Sequence, residues 1–196
     1  MRIKICGITN INDAINAINA GAHALGFVFY KKSPRYITPQ EALKIIEVLP
    51  PFVQTVGLFV NENVQTINQI AHEAKMQLTQ IIDDEHCIDY SQLNQKYIKV
   101  IRATSQEDIK NINNEYVLVD AFVPSFGGEG KRVALEWFKD VDCSKIILAG
   151  GLKAENLKEL RGYGFFAVDV SSGVEASKGK KDNQKMIDFV KAAHAI

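Results

Sequence analysis

Short runs of β-branched, aliphatic and aromatic residues alternate along the chain with polar stretches whose apolar positions recur at helical spacing. The strand-like runs fall at 3–8, 24–29, 53–60, 77–82, 98–102, 116–121, 145–149 and 166–170. Each stops at Gly, Asn, Asp, Ser or a comparable breaker. Helical stretches fill the intervals. "NDAINAINAG" sets Ala14, Ile15 and Ile18 on one face and closes at Gly21, a residue suited to a C-terminal cap. "TPQEALKIIEVLP" has Thr38 as N-cap, Pro39 at the first helical position, Glu41 three residues after the cap and Pro50 as a stop. "SQEDIKNI", "ALEWFKDV", "KAENLKEL" and "DNQKMIDFVKAAH" continue the alternation, whereas 85–96 is polar and without clear period.

Eight strands alternating with eight helical intervals predict a parallel sheet with crossover helices. Eight units in 196 residues leave roughly 25 residues each, enough for a strand of about 5–6 residues, a helix of about 10 and two brief loops. An open doubly wound sheet would have fewer strands, in units of roughly 30 residues or more. The predicted fold class is therefore α/β: a single-domain (β/α)8 TIM barrel with a parallel eight-stranded core over residues 1–196. No linker, low-complexity tract or second domain is seen along the chain.

Composition narrows the function classes. Hydrophobic residues make up 46% of the chain, charged residues 23%, and the formal net charge is zero, so neither nucleic acid nor an anionic membrane is a default partner. No apolar run approaches a membrane span, and "MRIKICG" does not start a signal peptide. Cys6, Cys87 and Cys143 are odd in number and form no CxxC pair, which fits a reducing cytoplasm. The four histidines are scattered, so no metal is expected. "DDEH" at 83–86 is expected to be a polar surface turn.

In such barrels the chemistry lies at the C-terminal strand ends, and phosphate is often held by the loops after strands 7 and 8. The seventh predicted strand ends in Gly150 and Gly151, the eighth in Ser171, Ser172 and Gly173. Glycine permits close backbone approach, and serine hydroxyls with free N–H groups complete an anion cradle. Gly-Gly and Ser-Ser-Gly are also ordinary turn chemistry, but here both fall where the barrel rule wants them. Three other strand ends carry reactive groups: Cys6 after the first, Arg35 beyond the second and Asp120 at the sixth. A thiolate can act as a base, a carboxyl in an apolar pocket can keep its proton, and arginine pairs with carboxylates. Taken singly, the cysteine reads as a buried hydrophobe, the aspartate as a turn cap and the arginine as a solvated charge. Their convergence on one barrel mouth favours chemistry.

"KICGIT" at 4–9, "FVFYKKSPRYI" at 27–37, "VGLFVNEN" at 56–63, "GGEGK" at 127–131 and "AVDVSSGVE…GKKD" at 167–182 resemble the phosphoribosylanthranilate isomerase family of the tryptophan pathway, in order and over nearly the whole chain. The resemblance implies a (β/α)8 barrel without metal or organic cofactor, acting on a small phosphosugar. It implies an Amadori rearrangement of N-(5-phosphoribosyl)anthranilate with Asp120 as general acid, Cys6 thiolate as general base and Arg35 on the anthranilate carboxylate. Gly150, Gly151, Ser171, Ser172 and Gly173 would hold the phosphate, with Asp169 near the site or serving as a structural acceptor. Lys4, two residues before Cys6 on the same strand face, is the candidate source of positive charge for the thiolate. Opposite environments are expected to move both catalytic pKa values toward neutrality.

Three departures stand out. "QLTQ" at 77–80 replaces the family's "QLHG", which puts Thr79 at the histidine. Glu129 stands in "GGEGK" where a small hydroxyl residue is usual and is expected to face solvent. "VALEW" replaces a shorter stretch, with Trp137 expected to pack rather than bind. "SKGKKD" at 177–182 offers positive charge near the phosphate, with Asp182 as a helix N-cap. A histidine-pathway isomerase would show a duplicated two-phosphate half-barrel, and a ribulose-phosphate epimerase would show strand-end metal ligands; neither pattern is present. A phosphate-binding protein that has lost catalysis would not need Cys6, Asp120 and Arg35 together. Monomer and homodimer are not distinguished by the sequence.

Overall fold

The computed structural model describes residues 1–110, 112, 115–123 and 131–196. Eight parallel strands run in chain order: β1 (Arg2–Cys6), β2 (Ala24–Val28), β3 (Gln54–Val60), β4 (Leu78–Ile82), β5 (Lys96–Ala103), β6 (Val117–Ala121), β7 (Ile146–Leu148) and β8 (Ala167–Val170). Each pairs with the next, and β1 pairs with β8 to close the barrel. The predicted strands are all present, with small shifts at their ends.

The connections depart further from expectation. α1 (Ile11–Ala20), α2 (Pro39–Ile46) and α3 (Val64–Glu73) cover the first three crossovers. The fifth has only the single turn α4 (Glu107–Lys110), and Tyr90–Gln92, Leu135–Phe138 and Ala154–Leu160 are 3₁₀ segments rather than the α-helices expected of the last two. A 3₁₀ segment rises about 2.0 Å per residue against about 1.5 Å in an α-helix, so it spans a crossover with fewer residues. That suits units this short. A small hairpin, β9 (Glu175–Ser177) with β10 (Lys180–Lys181), precedes the last helix, α5 (Asn183–His194).

Local signals set the helix ends. Asn10 accepts from the Asp13 N–H at 2.9 Å, and Gly21 closes α1 in a left-handed conformation, φ 109°. Thr38 and Glu41 form the expected capping box with Pro39 at the first helical position. Asp182 caps α5 by accepting from Lys185 N–H at 2.9 Å, as the sequence suggested. At 83–86, Asp83 accepts from the Cys87 and Ile88 N–H groups, so this segment is indeed turn chemistry. Trp137 packs part-buried against the core.

The strands bury both faces. Ile3, Ile5, Phe27, Phe59, Ile81, Val119 and Val168 belong to the layer beneath the helices, while Ile98, Leu118, Ile147, Ala149 and Ala167 fill the barrel interior. Above that interior layer the cavity opens, with polar inward residues on β1, β6 and β8 and mostly apolar ones on β2 to β5. Gly127, Gly128, Glu129 and Gly130, with the expectation about Glu129, lie outside the described residues.

Candidate active site

The period of two along β1 sends Ile3 and Ile5 outward and Lys4 and Cys6 into the barrel. Asp169 of β8 is the register partner of Lys4, and Lys4 Nζ donates to Asp169 Oδ1 at 2.9 Å. Both are buried. On the other flank Cys6 pairs in register with Gly26 of β2. A Cβ at Gly26 would lie 2.7 Å from Cys6 Sγ and 3.0 Å from Lys4 Nζ, so the missing side chain is the space in which thiol and ammonium sit together.

Burial pushes the Cys6 thiol up from its ordinary value. The Lys4 ammonium pulls it down, Asp169 pushes it up, and Lys181 pulls it down. Burial also works against the charge on Lys4, but Asp169 and Cys6 more than offset it and the ammonium is held above its usual range. Lys4 thus supplies the positive charge expected beside the thiol. The net shift of Cys6 nevertheless runs away from neutrality, a correction to the expectation, because desolvation exceeds what one shared ammonium returns.

Asp120 points inward from β6, and its Oδ1 accepts from the Ala121 N–H at 2.8 Å. Burial pushes its pKa up to about 6; the Ala121 hydrogen bond opposes this and the Asp169 charge adds to it. Gly150, beyond β7 at φ +86°, backs this carboxyl: a Cβ there would lie 2.6 Å from Asp120 Oδ1 and 2.9 Å from Lys131 O. A glycine at this position serves close approach as well as the turn.

Arg35 is not a solvated loop charge. It is 7% exposed, and its Nε and Nη2 donate to the two carboxylate oxygens of Glu175, each at 2.7 Å. Lys181 Nζ donates to the same carboxylate at 3.1 Å, to Ser171 O at 3.2 Å and to Ser171 Oγ at 3.4 Å. Burial works against the charge of Glu175, but Arg35 and Lys181 outweigh it and hold the carboxyl below the usual range. Arg35 also lines the cavity while its Nε and Nη2 are engaged by Glu175, and a guanidinium carries five N–H donors, of which this pair uses two. Removing one partner of a buried pair strands the other, at about 3–5 kcal/mol. Glu175→Ala is accordingly expected to lower the urea midpoint sharply; a midpoint equal to that of the parent would show the pair to be inconsequential.

Cys6, Arg35, Asp120, Gly150, Gly151, Asp169, Ser171, Ser172 and Gly173 all line one cavity at the C-terminal end of the barrel. At Gly173 a Cβ would come 1.9 Å from Leu152 O, so the loops after β7 and β8 touch there. Thr79 is not part of this site. It is fully buried on the outer face of β4, with its hydroxyl toward Lys96 O at 3.4 Å, while Gln80 and Ile82 face the cavity. The departure placed at Thr79 is corrected by one position of strand register. Gly26, Gln80, Glu175 and Lys181 were not singled out from the sequence. The charges in "SSGVE" and "GKKD" were the visible signal for the last two; nothing local marked the others.

The N-(5'phosphoribosyl)anthranilate (PRA) isomerase family model matches residues 3–192. The chain belongs to that family. The isomerase is 58% identical to the N-(5'-phosphoribosyl)anthranilate isomerase of a Nitratiruptor species, over 98% of each chain. It superposes on the phosphoribosyl anthranilate isomerase of Thermotoga maritima with a TM-score of 0.90 at 38% identity, covering all of both chains. A further relative, 36% identical with a TM-score of 0.83 over both full chains, was solved in complex with reduced 1-(o-carboxyphenylamino)-1-deoxyribulose 5-phosphate. The isomerase is thus a TIM-barrel enzyme of tryptophan biosynthesis, and among its described residues no helix is long and apolar enough to cross a membrane.

Proposed function

We propose that Asp120 and Cys6 are the acid and base that convert N-(5-phosphoribosyl)anthranilate to 1-(2-carboxyphenylamino)-1-deoxyribulose 5-phosphate in the cytoplasm. The observation that carries this is a carboxyl titrating at about 6 and a thiol beside an ammonium, facing one cavity from β6 and β1. Asp120 gives its proton to the furanose ring oxygen, and the ring opens to a Schiff base. Cys6 thiolate takes the C2 proton, and the enolamine formed moves its hydroxyl proton to C1 as the ketone appears. Solvent returns the proton from Cys6 to Asp120, so the cycle needs no oxidant, reductant or co-substrate.

Phosphate is assigned to Gly150, Gly151, Ser171, Ser172 and Gly173, at the loops after β7 and β8. Asp169 fixes Lys4 beside the thiol, and Arg35 receives the anthranilate carboxylate. The chain should consume freshly generated phosphoribosylanthranilate in a fluorescence assay. The analogue built on aniline, lacking the carboxylate, should show a KM about 10- to 100-fold higher, the worth of one charge-assisted contact. Equal KM values would take Arg35 away from the carboxylate, and no consumption would sink the whole assignment.

A further inference from the structure

One fully buried side-chain oxygen in the cavity wall has no partner among the described residues. It is Oε1 of Gln80 on β4, a residue that is 3% exposed and lines the cavity with Cys6 and Asp120. A buried carbonyl without a donor costs stability, so its presence in a cavity wall points to a donor on the ligand. The neighbouring wall narrows the choice. Val28 of β2, Leu58 and Val60 of β3, Ile82 of β4 and Val100 of β5 make that side of the cavity apolar. The proton-transfer and phosphate groups come instead from β1, β6, β7 and β8 and the loops after them. An apolar wall with Arg35 at its margin fits an aryl ring that carries a carboxylate.

The aryl half of the substrate has a single hydrogen-bond donor, the anilino N–H. We propose that Gln80 Oε1 accepts this N–H and holds it from substrate to product. The inference rests on the placement of the anthranilate beside Arg35. When the ring opens, the nitrogen becomes part of a Schiff base, and in its protonated form the N–H is a charged donor. Hydrogen bonds from charged donors are about twice as strong as neutral ones. The contact therefore strengthens as the reaction proceeds and lowers the barrier rather than merely tightening binding.

Gln80→Met and Gln80→Leu remove the acceptor and keep an apolar side chain of similar size. Two ligands separate the aryl half from the sugar half: reduced 1-(o-carboxyphenylamino)-1-deoxyribulose 5-phosphate, which has the anilino N–H, and ribulose 5-phosphate, which has none. Each variant is expected to bind the aryl ligand about tenfold more weakly, with an inhibition constant for ribulose 5-phosphate within about twofold of the parent. kcat should fall by a larger factor than KM rises, and the melting temperature should stay level or increase, since an unpaired buried carbonyl has gone. Unchanged affinity for the aryl ligand overturns the proposal. Equal weakening of both ligands overturns it too, by assigning Gln80 to the sugar, and failure of both variants to fold would make Gln80 a structural residue. A failure of the acid–base reading would show instead in the turnover of Cys6 and Asp120 variants, not in these binding constants.

Discussion

Asp120→Asn is expected to lower kcat by about 10²–10⁴-fold, the usual worth of a general acid, while making the protein more stable at pH 7 and above. Asparagine keeps the shape of the side chain but has no proton to give to the ring oxygen. The stability change follows from linkage. The carboxyl titrates at about 6 in the folded chain and near 3.9 in an unfolded one. Between those two values the folded chain binds a proton that the unfolded chain has lost, so stability falls as pH rises through that window. Above pH 6 the charged, buried carboxylate leaves the full penalty, on the order of 3 kcal/mol. Asparagine never takes the charge. Its melting temperature should exceed the parent's at pH 8 and match it at pH 4, measured by calorimetry. Parental turnover, or a difference in melting temperature that does not depend on pH, would remove Asp120 as the acid.

Cys6→Ser should also cost about 10²–10⁴-fold in kcat, because a serine hydroxyl is far too weak an acid to form the conjugate base that abstracts the C2 proton. Its fold should persist, with a melting temperature within a few degrees of the parent, since only one buried atom changes. The two pKa shifts make a further demand. Catalysis needs Asp120 protonated and Cys6 deprotonated, but the carboxyl titrates at about 6 and the thiol above its ordinary value. Between them the loss of protonated Asp120 with rising pH is matched by the gain of thiolate. kcat/KM should therefore be flat across neutral pH, falling below about pH 6 and again above the thiol's own titration. In Asp120→Asn the compensation is gone, and residual kcat/KM should climb with pH through the neutral range. A Cys6→Ser enzyme with parental turnover would exclude the thiolate; a residual profile in Asp120→Asn that stays level would show that the acid and the base do not titrate as this pair.

Much of this site is legible along the chain. The alternation in "RIKIC" is enough to put Lys4 and Cys6 on one face of a strand, because side chains two apart point the same way. Eight runs of strand character, spaced too closely for an open sheet, call for a closed barrel. Closure then places Cys6, Asp120 and the two glycine- and serine-bearing loops at one mouth. Helix caps at Asn10, Thr38 and Asp182 are equally local, since each depends on a contact three residues away.

What the tertiary structure decided is whatever depends on residues far apart in sequence or on burial. In "MQLTQII" no strict alternation says which residues face inward; the pairing of Gln80 with Leu58 on one side and Ile98 on the other selects Gln80 over Thr79. Arg35 and Glu175 are 140 residues apart, and no periodicity links a loop after β2 to a hairpin after β8. Which crossovers are α and which 3₁₀ was not contained in propensity, since stretches with similar apolar spacing took both forms. Protonation was likewise beyond the sequence: Cys6 and Asp120 are both raised by removal from water, and the extent of that removal exists only once the barrel has closed around them.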